Sequence, residues 1–441
     1  MRPFLPTGLA TGLLAATLLT PPTAQAAAET CHGQPATIVG SYLQRDLVGT
    51  PGADVVVTNG AVQIDTRGGD DLVCVTESAG RYPELDLVTG AGDDVVDASA
   101  SRGPMAATLG AGSDQYTGSA RGGDWVVAGE AGVDTEPDTI HTGAGALVDS
   151  VVSGSEGAPN GDVVVVEQGG STVYWSGPMT ADARLDATAG PGSTLVPDLG
   201  TGHAVVDATA GTLTRDGFVT LRWTGFDDFG FSGTEAPRAF RFDGSDRDET
   251  VYVSFPIEAS DRQRYYLGGG DDTLLSPDGA GGNKSRYNGE AGDDHIDLWA
   301  GTQLRLDLAS GQMRMRQDGR TVKARFAKFE TSRLGAKKLL LRGTKRADQI
   351  RFYACRATVR GRAGKDDITS ARTGDEDGYL LGCDARRSRI RIHGDGGRDT
   401  IGGSRGKDLL VGGPGRDTVN GNANRDRCSG EKLRSCEITL R

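Results

Sequence analysis

The sequence predicts an all-β protein, a parallel β-solenoid of the β-roll or β-helix kind that is built from glycine- and aspartate-rich repeats. Three observations predict it. A strict nine-residue period lies near the C-terminus, looser copies of the same turn recur through the rest of the chain, and glycine accounts for 67 of 441 residues. Such repeats form stacked coils that contact only their neighbours. We expect the array to be irregular in its N-terminal and middle parts and regular near its end.

The nine-residue period is carried by four consecutive segments near the C-terminus. The sixth residue of each segment is an aspartate and the eighth is Ile, Leu, Val or Cys. The aspartates are Asp399, Asp408, Asp417 and Asp426, and the residues two positions later are Ile401, Leu410, Val419 and Cys428. The pattern GGxGxDxUx, in which U is a large apolar residue, is typical of calcium-binding β-helices.

The spacing of these residues explains why the pattern suits calcium. Glycine lets the turn direct carbonyl oxygens inward, the aspartate adds a carboxylate, and the next three residues form a short strand. Calcium prefers six to eight oxygen ligands. Two repeats make one coil, so Asp399 should lie over Asp417 and Asp408 over Asp426. The predicted metal site consists of these four aspartates with Gly394, Gly397, Gly403, Gly406, Gly412 and Gly415.

A metal-free interpretation of the same turn is the alternative. Aspartate in a glycine-rich turn can simply hydrogen-bond the backbone of its own turn. Stacked carboxylates repel one another unless a cation lies between them, which favours calcium in the strict block. The last copy departs from the pattern, because Asn424 replaces a glycine and Cys428 replaces the aliphatic residue.

Looser copies of the turn precede apolar or β-prone segments in the rest of the chain. Asp54, Asp71, Asp94, Asp114 and Asp134 are 17, 23, 20 and 20 residues apart, Asp272 and Asp294 are 22 apart, and Asp348 and Asp366 are 18 apart. This spacing is close to one coil and predicts a continuous solenoid. Further metal ligands are predicted at Asp71, Asp94, Asp114, Asp272, Asp294 and Asp366.

A second internal duplication lies between these blocks. Asp207-Ala-Thr-Ala-Gly, followed by Trp223, Phe226 and Asp227, parallels Asp307-Leu-Ala-Ser-Gly, followed by Phe326, Phe329 and Glu330. We expect these aromatic residues to pack inside the solenoid. A ligand-stacking platform is the alternative.

The N-terminus and the cysteines indicate export. Arg2, the apolar stretch from Leu9 to Leu19 and the small residues Ala24-Gln25-Ala26 form a signal-peptide pattern, so we expect a secreted, extracellular protein that could associate with the cell surface. Six cysteines suit an oxidising compartment. Proximity pairs Cys31 with Cys74, Cys355 with Cys383, and Cys428 with Cys436; a zinc site is the rival, but no pair has CxxC spacing.

These features divide the chain into five predicted regions. They are a signal peptide at 1–26, an irregular repeat solenoid at 27–200, duplicated linking modules with repeats at 201–392, the strict calcium-binding β-roll at 393–429 and a disulfide-tied cap at 430–441.

The charge is distributed unevenly along the chain. Residues 1–300 carry 16 Lys and Arg against 43 Asp and Glu, whereas residues 301–441 carry 32 against 17. The acidic part suits cations. The basic part could engage an anionic cell-wall or extracellular polymer, without specific nucleic-acid binding. The simpler interpretation, which we favour, is that basic side chains offset neighbouring carboxylates. No segment after the signal is long and apolar enough to span a membrane.

No motif in the sequence assigns a catalytic activity to the chain. There is no HExxH motif, the five histidines are scattered, and a GxSxG match at 402–406 lies inside the nine-residue block, where the period alone explains both glycines. A polysaccharide lyase or epimerase is the strongest enzymatic alternative, with Arg264, Tyr265, Tyr266, Arg286 and Tyr287 lining a groove. Tyrosine and arginine are ordinary on strand surfaces, so we expect no enzyme.

The strict block resembles the hemolysin-type calcium-binding repeat family, also called RTX proteins. The paired modules look like the segments that link repeat blocks in such proteins. The resemblance implies that Asp399, Asp408, Asp417 and Asp426 donate carboxylates, with backbone oxygens from the glycine turns, and that folding depends on calcium. It implies a calcium-binding module and does not extend to hemolytic activity. Of the two functional classes that remain, we favour a calcium-stabilised structural or adhesive protein over a polysaccharide-modifying enzyme.

Overall fold

The computed structural model describes residues 29–76, 85–129, 136–187, 190–233, 236–254, 262–276, 282–317, 319–370, 382–383 and 385–440. The predicted signal peptide at 1–26 lies outside these ranges. The described chain is all-β, and its one helical element is a 3-10 turn at Ala385–Arg387. Within these ranges no helix is long and apolar enough to cross a membrane.

The N-terminal part consists of short strands, most of them three or four residues long. They are β1 (Thr30–Cys31), β2 (Gln34–Pro35), β3 (Ile38–Val39), β4 (Asp46–Val48), β5 (Val55–Val57), β6 (Gln63–Asp65), β7 (Leu72–Cys74), β8 (Leu85–Ala91), β9 (Val95–Asp97), β10 (Met105–Ala111), β11 (Gln115–Thr117), β12 (Trp125–Val127), β13 (Thr139–His141), β14 (Ser150–Ser153), β15 (Val163–Val166), β16 (Thr172–Trp175), β17 (Arg184–Ala187) and β18 (Thr194–Pro197).

Successive strands in this part alternate between two parallel sheets. The odd strands β3 to β17 form one eight-stranded sheet, and the even strands β4 to β18 form the other. Strand β7 shows the register, because Val73 lies opposite Val56 on one side and Val96 on the other. Each strand therefore pairs with the next strand but one, which stacks the chain in layers.

The middle part interrupts this parallel order twice. Its strands are β19 (His203–Asp207), β20 (Thr212–Arg215), β21 (Phe218–Arg222), β22 (Asp228–Ser232), β23 (Ala239–Asp243), β24 (Thr250–Ser254), β25 (Arg262–Tyr266), β26 (Thr273–Ser276), β27 (Arg286–Asn288), β28 (His295–Trp299), β29 (Gln303–Asp307), β30 (Gln312–Gln317), β31 (Arg320–Ala327) and β32 (Thr331–Arg342). Strands β19–β21 and β29–β31 are antiparallel meanders, and the other pairs are parallel. The two meanders coincide with the predicted duplication.

The C-terminal part returns to parallel pairing. Its strands are β33 (Gln349–Gly364), β34 (Asp367–Ser370), β35 (Arg389–Gly397), β36 (Thr400–Gly402), β37 (Leu409–Val411), β38 (Thr418–Asn420), β39 (Arg427–Ser429), β40 (Lys432–Arg434) and β41 (Ile438–Thr439). Strands β36 and β38 pair on one side of the stack, and β37 and β39 pair on the other. Alternate nine-residue repeats therefore stack, as predicted.

One contiguous apolar cluster runs from Leu47 to Cys428 between the sheets. The four U positions of the strict repeats are buried, which confirms their inward orientation. Trp223, Phe226, Phe326 and Phe329 are also buried, so the duplicated modules contribute their aromatic residues to the core.

The structure contains the three predicted disulfides. Cys31 pairs with Cys74, Cys355 with Cys383, and Cys428 with Cys436. The last bond links the final strict repeat to the C-terminal strands, because Cys428 occupies the U position of that repeat.

Two tyrosines that the lyase or epimerase alternative would need in a groove lie in the core instead. Tyr265 and Tyr287 are each only 1% exposed, and their rings stack with centroids 5.4 Å apart. They belong to the core because each occupies an inward position of its strand, so neither can line a groove.

Candidate metal-binding turns

An acidic residue stands immediately before many of the strands, and these residues form three columns. The first column is Asp54, Asp71, Asp94, Asp114, Asp138 and Asp162; the second is Asp124, Asp149, Asp227, Glu249, Asp272, Asp294, Glu330, Asp348, Asp366, Asp399, Asp417 and Glu431; the third is Asp408, Asp426 and Glu437. Most of these side chains are buried. A carboxylate one residue before a strand lies where the turn enters the sheet.

Hydrogen bonds connect successive members of a column. The backbone N–H of Asp399 donates to Oδ1 of Asp417 at 2.9 Å, and that of Asp408 donates to Oδ1 of Asp426 at 2.8 Å. Both predicted stacking pairs are therefore confirmed. The backbone N–H groups of Asp417 and Asp426 donate in turn to Glu431 and Glu437, each at 2.7 Å. The carboxylates thus satisfy backbone donors that the start of each strand would otherwise leave unpaired.

The same bond recurs in the looser repeats. It joins Asp54 to Asp71, Asp71 to Asp94, Asp94 to Asp114, Asp272 to Asp294 and Asp366 to Asp399, with distances from 2.7 to 3.1 Å. After Asp114 the column continues at Asp138, whose Oδ1 accepts from the Asp114 N–H at 2.8 Å. The spacing argument placed Asp134 there, and that residue lies outside the described ranges.

The turns fall into two classes, and we call the first class closed turns. In a closed turn, a Ser or Thr four or five residues before the acid donates to its carboxylate. Oδ2 of Asp408 accepts from the Ser404 N–H at 2.6 Å and from the Ser404 hydroxyl at 2.9 Å. Such turns end at Asp54, Asp124, Glu249, Asp348 and Asp408. Both carboxylate oxygens accept hydrogen bonds at Asp54, Asp124, Asp348 and Asp408, whereas Oε2 of Glu249 is buried and accepts none.

In the second class, the open turns, no donor reaches the second carboxylate oxygen. Oδ2 of Asp366, Asp399, Asp417 and Asp426 is buried and accepts no hydrogen bond. Each of these oxygens lies beside the glycine five residues earlier, and a Cβ on Gly394 or Gly412 would overlap it. Glycine is required at that position because the carboxylate occupies the space of the missing side chain.

The six predicted glycines divide between the two classes. Gly394, Gly397, Gly412 and Gly415 belong to open turns, and Gly397 and Gly415 have φ of 147° and 152°, a region in which other residues are strained. Gly403 and Gly406 belong to the closed turn of Asp408, where the Gly406 N–H donates to the Ser404 hydroxyl oxygen at 3.0 Å. Ser404, the serine of the GxSxG match, is 2% exposed and binds Asp408.

Burial raises the pKa of Asp366, Asp399 and Asp426. It raises the pKa of Asp366 to about 7, assisted by Asp348 and Asp399, and the pKa of Asp426 to about 7, assisted by Asp408 and Glu437. The pKa of Asp399 is raised by burial and by the charge of Asp417. These groups are therefore costly to ionise without a compensating positive charge.

The looser turns show the same effect. Burial raises the pKa of Asp272 to about 8, with a further contribution from Glu249, and the pKa of Asp94 and Asp294 to about 6. Burial also raises the pKa of Asp71, although the Thr66 hydroxyl partly offsets this.

A second carboxylate runs alongside the column in the GDD turns. The Asp93 N–H donates to Oδ1 of Asp70 at 3.0 Å, and the Asp271 N–H donates to Oδ1 of Asp248 at 2.8 Å. The Asp293 N–H donates to Asp271 in the same way at 2.8 Å. These bonds lie at the exposed surface, so a GDD turn combines one exposed and one buried carboxylate.

The columns do not bring three side-chain ligands together at one point. Within the described ranges, only His32, Cys74 and Asp97 place three potential ligand atoms within 4.8 Å of one another, and Cys74 is in a disulfide. A cation at an open turn would therefore take one carboxylate from each layer and its other ligands from backbone carbonyls. Such carbonyls are close at hand, because the carbonyl oxygen of Gly412 and Oδ2 of Asp399 both lie within 2.6 Å of the position that a Cβ on Gly394 would occupy.

The sequence interpretation missed several members of the columns. Asp138, Asp149, Asp162, Glu431 and Glu437 have no complete glycine motif before them, yet all stand one residue before a strand. A local pattern could have identified these residues: an acid followed by three β-prone residues, the middle one apolar, as in Asp138-Thr-Ile-His. No family model matches this chain, and no curated protein is similar to it.

Proposed function

We propose that this chain is an extracellular, calcium-binding β-solenoid of the RTX type, and that it has a structural or adhesive role. The observation that carries the proposal is the buried second oxygen of Asp366, Asp399, Asp417 and Asp426, which accepts no hydrogen bond. A buried polar atom without a partner costs about 1 to 3 kcal/mol. A divalent cation with oxygen ligands is the partner that suits such an atom.

The alternation of strands between parallel sheets supports the solenoid part of the proposal. Each layer adds one acid to a column, so the candidate sites repeat along the stack. Asp399 and Asp417 would hold one ion, and Asp366 and Asp399 the preceding one, with backbone carbonyls of the glycine turns completing each set. Because Ser404 saturates Asp408, the closed turns need no ion.

The stabilisation expected from bound calcium is comparable with the free energy of unfolding of a typical domain. At about 1 mM calcium, a site with a dissociation constant of roughly 0.1 to 1 mM adds on the order of 0.4 to 1.4 kcal/mol. Several such sites approach the margin of about 5 to 15 kcal/mol that keeps a typical domain folded. Calcium outside the cell would therefore stiffen the array after export.

A calcium titration of the mature chain tests the proposal, with thermal melting followed by circular dichroism. We expect the melting temperature of the wild type to rise with millimolar calcium. The open-turn variant Asp366→Asn/Asp399→Asn/Asp417→Asn should lose the part of this rise that these three turns contribute, because the amide keeps the backbone hydrogen bond and removes the charge. It should also be more stable than the wild type in chelator.

The matched control is the closed-turn variant Asp348→Asn/Asp408→Asn. In this variant the side-chain N–H groups of the new Asn residues face the N–H and hydroxyl donors of Thr344 and Ser404. Stability should therefore fall equally with and without calcium. A wild type that melts at the same temperature in chelator and in calcium contradicts the proposal. So does an open-turn variant that retains the full calcium response.

A further inference from the structure

The structure carries a second charged surface, which we call the basic face. It is the outer side of the sheet formed in order by β31, β30, β29, β32, β33, β35, β37 and β39. Twelve exposed basic side chains project from it: Arg305, Arg314, Arg316, Lys323, Arg325, Lys338, Arg342, Arg356, Arg360, Arg389, Arg391 and Arg427. They come from strands up to about 120 residues apart in sequence.

The strand register aligns these side chains in rows across the sheet. Lys323 lies opposite Arg314, which lies opposite Arg305, so one row has three adjacent basic residues. A second row contains Lys338, Arg356 and Arg389 on consecutive strands. Neighbouring strands are about 4.8 Å apart, so the eight strands present positive charge over about 34 Å.

Neighbouring carboxylates do not neutralise this face. Among the outward positions of the paired segments from β29 to β35, the acids within the described ranges are Asp307 and Asp395. Arg342 approaches Asp307 at 4.0 Å, and Arg360 approaches Asp395 at 3.5 Å. The interpretation that basic residues merely offset adjacent acids therefore fits two of the twelve.

A cleft lies where the second meander meets β32. It has a volume of about 600 Å³, and its lining includes Arg305, Arg314, Lys323, Arg325 and Arg342. Guanidinium groups bind carboxylates and sulfates through paired hydrogen bonds. The cleft therefore suits an acidic group of a ligand that continues along the rows.

The first copy of the duplicated module shows that the fold does not require this charge. The row Arg305, Arg314, Lys323 corresponds to Val205, Thr214 and Val219 in the first copy.

Buried positions keep their apolar character between the copies, as Leu213 and Met313 illustrate. The positive charge of this row is thus confined to the outside of one copy, where packing does not call for it.

We propose that the basic face binds a linear anionic polysaccharide whose carboxylate or sulfate groups lie along the rows of arginine. This names the partner class of the adhesive role and rests on that proposed function, but it does not need calcium in the turns. Single-stranded nucleic acid is less suitable, because base stacking uses exposed aromatic side chains. The rows from β29 to β39 contain none.

Binding of heparin and of polygalacturonate to the full mature chain tests the proposal, at fixed calcium and with increasing salt. We expect the variant Arg305→Gln/Arg314→Gln/Lys323→Gln to bind at least tenfold more weakly. The slope of log affinity against log salt should fall by about two, since each lost contact removes about 0.7 for a single chain.

The control variant Lys345→Gln/Arg346→Gln/Arg351→Gln removes the same charge from exposed positions elsewhere in the same region. It should bind within twofold of the wild type. Equal loss in both variants would show that only net charge matters and would overturn the proposal. Tighter binding of a single-stranded oligothymidylate than of either polysaccharide would also overturn it, in favour of nucleic acid.

Acetylation of the wild type tests the same surface without a mutation. Bound polysaccharide should protect Lys323 and Lys338 at least fivefold and leave Lys345 and Lys407 unprotected, as measured by mass spectrometry. Uniform protection would contradict the proposal. A chain that binds no polysaccharide but still melts higher with calcium would refute the basic-face proposal alone and leave the calcium proposal standing.

Discussion

The closed turn at Asp408 and the open turn at Asp417 lie in adjacent nine-residue repeats and have nearly the same sequence pattern. Ser404 supplies an N–H and a hydroxyl to Asp408, whereas Oδ2 of Asp417 has no donor and lies against Gly412. One turn is complete as a protein structure, and the other lacks a partner for a buried oxygen. The comparison teaches that a strict repeat can contain two kinds of site.

The largest expected effect is a pH dependence of stability to which buried carboxyls of both classes contribute, since burial also raises the pKa of Asp348 and Asp408. Burial and neighbouring acids raise the pKa of Asp272 to about 8 and of Asp366 and Asp426 to about 7. A carboxyl with a raised folded pKa stabilises the fold below its unfolded pKa, and this contribution is lost as pH rises through the folded value. In chelator, we therefore expect a higher melting temperature at pH 5 than at pH 8.

Calcium should reverse this trend, because it binds only the ionised carboxylates. Thermal melts at pH 5 and pH 8, with and without calcium, measure both effects. A chelated protein that becomes more stable between pH 5 and pH 8 would contradict the assignment of the open turns.

The next effect concerns the closed turn. Replacing Asp408 by Ala leaves the N–H groups of Ser404 and Ile390 without their acceptor, which should cost about 2 to 4 kcal/mol. Asp399→Ala removes one accepted bond and one unpartnered oxygen, so it should cost less in chelator. Urea unfolding in chelator measures both free energies. Equal losses would mean that the two classes do not differ energetically.

The smallest effect concerns glycine in the open turn. A Cβ on Gly412 would overlap the carboxylate of Asp417, so Gly412→Ala should lower the free energy of unfolding by about 1 to 3 kcal/mol. The control is Gly52→Ala, two residues before Asp54 in a closed turn, where no atom lies within 4 Å of the added methyl. Urea unfolding should show little change for the control. A tolerated Gly412→Ala would show that the carboxylate can move.

Much of the architecture could be predicted from local patterns. The nine-residue period specified the stacking of Asp399 with Asp417, because a coil of two repeats brings every second aspartate into register. Proximity in sequence also predicted the three disulfides. By contrast, the sequence left open whether Tyr265 and Tyr287 line a groove or pack in the core, since tyrosine suits either side of a strand and only packing selects one.

The amino-acid sequence alone determined the all-β class, the period of the stack and the inward residues of its strict repeats, because these depend on short-range spacing. The tertiary structure decided which carboxylate oxygens are buried without a donor, although the residue that closes a turn is local, since Ser404 precedes Asp408 where Gly413 precedes Asp417. It also decided that basic residues from distant strands share one face. Such contacts arise between layers, where residues far apart in the chain become neighbours through strand pairing.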